Sequence, residues 1–413
     1  MKNTIRSTMA GAALVLSACG GATDNTTPLV QASLCPSSLD YGTVFTGGAG
    51  DGELVRIQLD TTRLTWQVTY VASPIPQTPG TVVPTRAGTL DSGTLTPETQ
   101  FATQSLNRCA YRLNGASLDP ARPARVFVGD GVVGGTIPGK ELAYAGNDGA
   151  GAIPDTTFPY FPFIGFATLD TNLADITGTY NQIGYAQVLS QNFAPTTINA
   201  SVTINPDGSW SRCDTTGLYA GTCRQPGTNL TASSNGSGAF ETDHYQGQIQ
   251  PTLAPVAQAK GYLIVGTLRG QRVPIMIRTG AANPGTQPDA NGVPPLTADD
   301  ESGIAILAPQ TKLGSGAQNG EYIGADSRFD YRATALADTR ATLFDPFNAS
   351  QASLATVLTL DYTQTLPGAI GTTHADAASA TPTGTFLFTG GVFGFLDMST
   401  PASPYFLIGA FVQ

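Results

Sequence analysis

Apolar and polar residues alternate along much of this chain with a period of two, and turn residues interrupt the alternation every few positions. Side chains of a strand point alternately to opposite faces, so this pattern dictates half-buried antiparallel sheet. Val55, Ile57 and Leu59 alternate with Arg56, Gln58 and Asp60. After Thr61-Thr62-Arg63, Leu64, Trp66, Val68 and Tyr70 alternate with polar residues, which predicts a hairpin. Further hairpins are expected where Asn205-Pro206-Asp207-Gly208 separates residues 201–204 from Ser209-Trp210, and around Gly270 between residues 262–268 and 271–278. Gly390-Gly391 joins a last pair, residues 385–388 and 392–396, before a closing strand over 405–412. Even the Gly- and Pro-free window 325–345 alternates through Phe329, Tyr331 and Ala333, so a helix is expected only over 348–355. With 48 Gly and 29 Pro among 413 residues, the composition agrees: the fold class is all-β.

A chain of this length exceeds the usual single core, so two β-domains are expected. The N-terminal one spans 35–150, a Pro/aromatic crossover covers 151–175, and the C-terminal one spans 176–413. The last holds eight to ten strand candidates, enough for a barrel-like sheet or a sandwich. Residues 279–302 and 368–383 read as loops from their Pro, Gly, Asn, Ala, Thr and Ser content.

The first residues carry Lys2 and Arg6 and lead into a short apolar run that ends in Leu16-Ser17-Ala18-Cys19. The run falls short of the ~20 apolar residues that span a bilayer and follows a signal-peptide plan, removed after residue 18. The tetrapeptide resembles a bacterial lipobox, in which the cysteine is lipidated and becomes the first mature residue. Cys19 is therefore the expected anchor, and Gly20 after it resembles an outer-membrane sorting signal. Acyl chains add about 0.8 kcal/mol per buried CH₂. The small polar segment 20–34 reads as a tether with a reach of about 20 Å. An exported chain with Cys35, Cys109, Cys213 and Cys223 remaining calls for disulfides. The short loop between Cys213 and Cys223 favours that pair, leaving Cys35 with Cys109.

The formal charge of −10 argues against nucleic acid as a partner. Only two histidines occur, His244 and His374, and no zinc, P-loop or nucleophile-elbow motif is present, so no metal, cofactor or catalytic residue is assigned. On a strand, Glu241, Asp243 and Tyr245 would face one way and His244 the other, which separates the histidine from the carboxylates. Asp289, Asn291 and the run Asp299-Asp300-Glu301 fall short of a calcium loop and read as a solvated acidic segment. Gly129 to Gly134 reads as a turn between strands. The rings of Phe158, Tyr160, Phe161 and Phe163 either form a binding surface or pack between the two domains.

The segments Phe158-Pro-Tyr-Phe-Pro-Phe163, Gly165-Phe-Ala-Thr-Leu-Asp170 and Gly178-Thr-Tyr-Asn-Gln-Ile-Gly184, with the lipobox and the first hairpin, resemble a family of proteobacterial lipoproteins catalogued as a domain of unknown function. The resemblance implies an envelope address and brings no activity or catalytic residue with it. The function expected is that of an outer-membrane-anchored lipoprotein acting as a non-enzymatic binding or structural module. Its partners would be the membrane, through the lipid on Cys19, and a small apolar ligand or an envelope protein. Two alternatives are a surface hydrolase using carboxylates such as Glu241, Asp243 or Glu321, and a membrane-embedded barrel suggested by the aromatic last strand.

Overall fold

The computed structural model describes residues 35–79, 81, 83–142, 156–189, 193–217, 219–247, 259–284, 296–348, 355–377 and 381–412. Cys19, the signal segment, the tether, Asp289, Asn291 and most of the helix expected over 348–355 lie outside the described residues. Eight strands close into an antiparallel barrel: β1 (Phe45–Ala49), β2 (Leu54–Asp60), β3 (Thr65–Ala72), β4 (Leu90–Pro97), β5 (Ala110–Leu113), β6 (Arg125–Gly129), β7 (Val132–Leu142) and β8 (Thr156–Phe166). Neighbours in sequence are neighbours in space, and β8 returns to pair with β1.

A nine-stranded antiparallel sheet follows. It holds β9 (Gly178–Val188), β10 (Ala194–Ile204), β11 (Trp210–Asp214), β12 (Cys223–Arg224), β13 (Thr231–Ala232), β14 (Phe240–Asp243), β15 (Lys260–Leu268), β16 (Gln271–Thr279) and β19 (Glu301–Pro309). The two remaining strands, β17 (Ala281–Pro284) and β18 (Leu296–Asp299), pair with each other. The spatial order β12-β11-β10-β9-β19-β16-β15-β14-β13 places β19 between β9 and β16. A second closed barrel ends the chain: β20 (Gly320–Asp326), β21 (Tyr331–Ala337), β22 (Arg340–Phe344), β23 (Thr356–Asp361), β24 (Ala369–His374), β25 (Gly384–Thr389), β26 (Val392–Asp397) and β27 (Tyr405–Phe411).

The chain is thus all-β and antiparallel, with two closed eight-stranded barrels; the span 176–413, expected to be one domain of eight to ten strands, holds the nine-stranded sheet, the β17–β18 pair and the second barrel. The hairpins read from alternation are β2–β3, β10–β11, β15–β16 and β25–β26. At the β10–β11 turn, Gly208 takes the positive φ of 81° that a glycine bulge requires, and Asn205 N–H donates to Ser209 O. Disulfides join Cys35 to Cys109 and Cys213 to Cys223, the expected pairing.

Three readings are corrected. The presumed crossover contains β8, a barrel strand that pairs with β7 on one side and β1 on the other, so the first barrel runs to Phe166 rather than ending near 150. The presumed loop 368–383 contains β24, in which Ile370 and Thr372 are buried beneath an Ala/Thr-rich exterior. Asp300 and Glu301 are not solvated: both are buried, and Glu301 accepts a hydrogen bond from Thr196 Oγ1 at 2.8 Å.

One apolar cluster joins the three bodies. Ile183, Ile264, Ile275, Ile277, Ile304 and Ile306 of the sheet meet Leu54, Ile164 and Phe166 of the first barrel and Leu387, Leu396, Phe406 and Ile408 of the second. The outward face of the aromatic last strand is therefore covered by protein. Leu407, on its other face, packs inside the barrel with Phe386, Phe388, Phe393 and Phe395. No helix among the described residues is long and apolar enough to cross a membrane.

Two ion pairs are buried in the first barrel. Arg86 grips Glu53 with two nitrogens and lies 3.9 Å beneath the Tyr70 ring. Arg125 holds Glu98, and both side chains are almost wholly inaccessible. Burial alone would raise the Glu98 carboxyl, but hydrogen bonds from Arg125 and from the amides of Gln100 and Thr99 outweigh it and hold the group below its ordinary value. A carboxylate depressed on folding contributes stability above its ordinary value of 4.5, and that stability is lost as pH falls through the folded value.

Two predictions follow from this packing. Gly266 on β15 lies against the Phe166 ring, where an added Cβ would sit 2.2 Å from the ring, whereas a Cβ at Gly314 meets nothing. Gly266→Ala should lower stability by about 1–3 kcal/mol and Gly314→Ala by less than about 0.5 kcal/mol, measured from urea midpoints. Glu98→Gln strands a buried guanidinium and should cost about 3 kcal/mol at pH 7. Denaturation between pH 7 and 3 should show its deficit shrinking once the pH drops below 4.5.

Candidate functional site

Phe158, Tyr160, Phe161 and Phe163 are all buried. One face of β8 runs outward: Phe158 and Tyr160 meet Phe329 and Tyr331 of the second barrel, with ring centroids 5.5 Å apart in the Phe158–Phe329 and Tyr160–Tyr331 pairs. The Tyr160 hydroxyl donates to Phe329 O. The opposite face turns Phe161 toward Arg86. Phe158 and Tyr160 join the barrels, and Tyr160 also lines a large cavity.

That cavity, of about 520 Å³, lies where the β5–β6 loop and the β6 rim of the first barrel face the start of β21. It is lined by Arg112, Arg122, Arg125 and Arg332, with Tyr160, Tyr331 and Phe347 as apolar walls. A second cavity of about 420 Å³ adjoins it on the second barrel, lined by Arg328, His374, Asp397, Ser399 and Tyr405. Arg332 and Asp345 line both. Five guanidiniums thus line the two adjoining cavities, together with the carboxylates of Asp330, Asp345 and Asp397.

The arginines differ in how firmly they are held. Arg125 is fixed by Glu98, by Pro123 O at 2.9 Å and by Gln100 at 3.0 Å, and it lies 4.6 Å from the Phe347 ring. Arg332 is shared between Asp326 at 3.1 Å and Asp330 at 3.0 Å. Burial alone would lower its guanidinium, but Tyr405, Asp326 and Asp330 outweigh burial and keep it charged. Arg122 pairs with Asp119 at 3.0 Å in the open, where such a pair is weak. Arg112 stands directly opposite Arg125 in the β5–β6 ladder, and its buried Nε has no hydrogen-bond partner among the described residues. Arg328 makes no ion pair among the described residues and sits 5.3 Å from the Tyr405 ring. Burial pushes the Tyr331 phenol up to about 12, so at neutral pH it stays protonated and can donate, as to Pro123 O.

At the far end His374 Nε2 lies 2.9 Å from Asp397 Oδ2, and Ser399 Oγ donates to the same oxygen at 3.0 Å. Serine and histidine lean on one carboxylate rather than on each other, so the serine–histidine hydrogen bond of a triad is not formed here. The hydrolase candidates do not converge on this cleft. Glu241 and Asp243 share Lys260, at 3.7 and 3.1 Å, on the central sheet, and Glu321 accepts from Ser105 at 3.0 Å. His244 is exposed and takes a positive φ of 56°, which breaks the alternation and turns Tyr245 inward against Trp210. Tyr245 therefore does not share a face with Asp243 as expected. The junction of the three bodies holds an apolar-lined cavity of only about 30 Å³, room for one water rather than a lipid.

The cleft arginines went unnoticed in the sequence. The available signal was two arginine doublets, Arg122-Pro-Ala-Arg125 and Arg328-Phe-Asp-Tyr-Arg332, in a chain with only 20 basic residues.

Among solved structures, the chain is similar to intact Ap-TbpB (N and C lobes), at 10% identity and a TM-score of 0.21, over 87% of this chain and 66% of that one. It is similar also to the vaccine antigen Transferrin Binding Protein B of Haemophilus parasuis Hp5. A double mutant of that antigen matches at 10% identity and a TM-score of 0.21, over 87% of this chain and 65% of that one. A single mutant matches at 9% and 0.22, over 88% and 66%. The chain spans just under two thirds of the length of the solved chains it matches. Comparison with curated proteins gives no match. A family match covers residues 65–410, most of the sequence, and the chain belongs to the family described as Protein of unknown function (DUF2957).

Proposed function

We propose that this chain is a lipid-anchored protein of the bacterial cell envelope, held at the outer membrane through Cys19, and that it is a binding module for a small anion rather than an enzyme. The observation that carries the binding reading is the guanidinium lining of a 520 Å³ cavity by Arg112, Arg122, Arg125 and Arg332, behind which Arg112 Nε is buried with no hydrogen-bond partner among the described residues. A buried donor left unbonded is costly, and an ionised acceptor is the strongest partner a guanidinium can take. Arg122 and Arg328, weakly held or unpaired, extend the same chemistry along the cleft. Tyr160, Tyr331 and Phe347 would pack against the uncharged part of a ligand. The ligand class is a small molecule bearing carboxylate or phosphate groups, in place of the apolar ligand expected from sequence. The anchor reading rests on the signal plan and on the lipobox ending in Cys19.

Titration calorimetry on the Cys19→Ala chain, exported by a cleavable signal and purified without detergent, tests the binding reading with citrate, inorganic phosphate, glucose 6-phosphate and glucose. At least one anion should bind and glucose should not. An Arg112→Gln/Arg122→Gln variant should bind at least tenfold more weakly, a loss of about 1.4 kcal/mol or more, with an unchanged melting temperature. Binding of none of the anions, or undiminished binding by the variant, refutes it. Labelled palmitate should enter the unaltered chain and not the Cys19→Ala chain.

A further inference from the structure

A second guanidinium cluster lies away from the cleft, on the central sheet. Arg212 on β11 stands directly opposite Arg224 on β12, and the adjacent register pair is Cys213 and Cys223, joined by a disulfide. Side chains alternate along a strand, so the order Arg-Cys before the loop and Cys-Arg after it sets both guanidiniums on one face and the cystine on the other. Like charges directly opposite each other in a ladder repel. One carboxylate separates them: Asp214 lies 2.9 Å from Arg212 Nε and 3.7 Å from Arg224 Nη2.

Those two arginines present more donors than the surroundings accept. Arg212 is 1% exposed and gives Nη1 to the Tyr245 hydroxyl at 2.8 Å, while its Nη2 has no hydrogen-bond partner among the described residues. Arg224 gives Nη1 to Gln246 at 3.2 Å and lies 3.6 Å from the Tyr219 ring, while its Nε and Nη2 are buried and without a hydrogen bond among the described residues. Burial, and the charge of Arg212 beside it, push the Arg224 guanidinium below its ordinary value. The Arg212 guanidinium lies 5.6 Å from the Tyr245 ring, which stacks on Trp210 with centroids 5.6 Å apart and planes 7° from parallel.

We infer that the unbonded N–H groups of Arg212 and Arg224 hold a small monovalent anion of the halide class. A spherical ion accepts from converging donors without needing a shaped cavity. The nearby Asp214 carboxylate disfavours an anion of higher charge. Glu301 also stabilises the Arg212 charge, so what the ion meets is the unbonded N–H groups rather than an uncompensated charge. The disulfide is part of the site, because it holds Arg224 in register with Arg212.

Bromide is the probe. Crystals of the unlipidated full chain, grown with bromide as the only halide, should show anomalous density in contact with both guanidiniums. In solution, replacing gluconate by bromide at constant ionic strength should raise the melting temperature to a plateau. Arg224→Gln, at a partly exposed position, should stay folded by circular dichroism and shift that response to at least tenfold higher bromide. Density without an anomalous signal between the guanidiniums, with bromide visible elsewhere, means water and overturns the assignment. So does a bromide response identical in Arg224→Gln, which marks a general salt effect.

Discussion

The architecture depends on burying both faces of one sheet. Ile183, Ile264, Ile275, Ile277, Ile304 and Ile306 leave the central sheet on one side and are covered by the two barrels, while Val202, Leu263, Val265, Met276 and Leu307 fill its other side. A fully buried aliphatic side chain contributes about 1.5–3 kcal/mol, so this shared layer cannot be exposed cheaply. It seats both barrels side by side. The direct barrel contact, in which Ile323, Ala325, Tyr331 and Ala333 join the core of the first barrel, then fixes the walls of the cleft. Three of the cleft arginines, Arg112, Arg125 and Arg332, are carried on strands, which lowers the ordering cost of binding.

The same double burial explains what the sequence showed and what it concealed. Strands with one wet face, such as β2 and β3, alternate visibly, and their turns are two or three residues away, so local pattern and turn chemistry define them. Strands β15, β19 and β27 are apolar on both faces, and period two fades there. Nothing local indicates that β19 inserts between β9 and β16, or that β8 returns to β1 across the whole first barrel. The crossover reading of β8 arose from Pro159 and Pro162, which a central strand excludes. They are tolerated because β1 pairs with β8 only from Phe163 to Phe166, so both prolines have strand β7 on one side and no ladder on the other.

The cleft was hidden for a related reason. Arg112, Arg122 and Arg125 come from the first barrel, and Arg328 and Arg332 from the second, some two hundred positions later. No spacing rule spans that distance, and a site made of arginines carries no motif. His374 looked like a loop residue because its flanks are rich in Ala and Thr, yet barrel closure sets it on a strand beside Asp397. The cystine of β11 and β12 was legible, since a loop of that length closes readily. Its effect on Arg212 and Arg224 becomes visible only with the ladder register.

The central claim is that the two barrels form a ready-made anion site between them. A crystal structure of the unlipidated chain bound to whichever carboxylate- or phosphate-bearing ligand titrates most tightly tests it most directly. The account predicts that ligand in the cleft, with its charged group on Arg112 and Arg122, and the barrel walls placed as described. A cleft holding only solvent, with the anion bound elsewhere, or barrels that separate to admit it, would contradict the account.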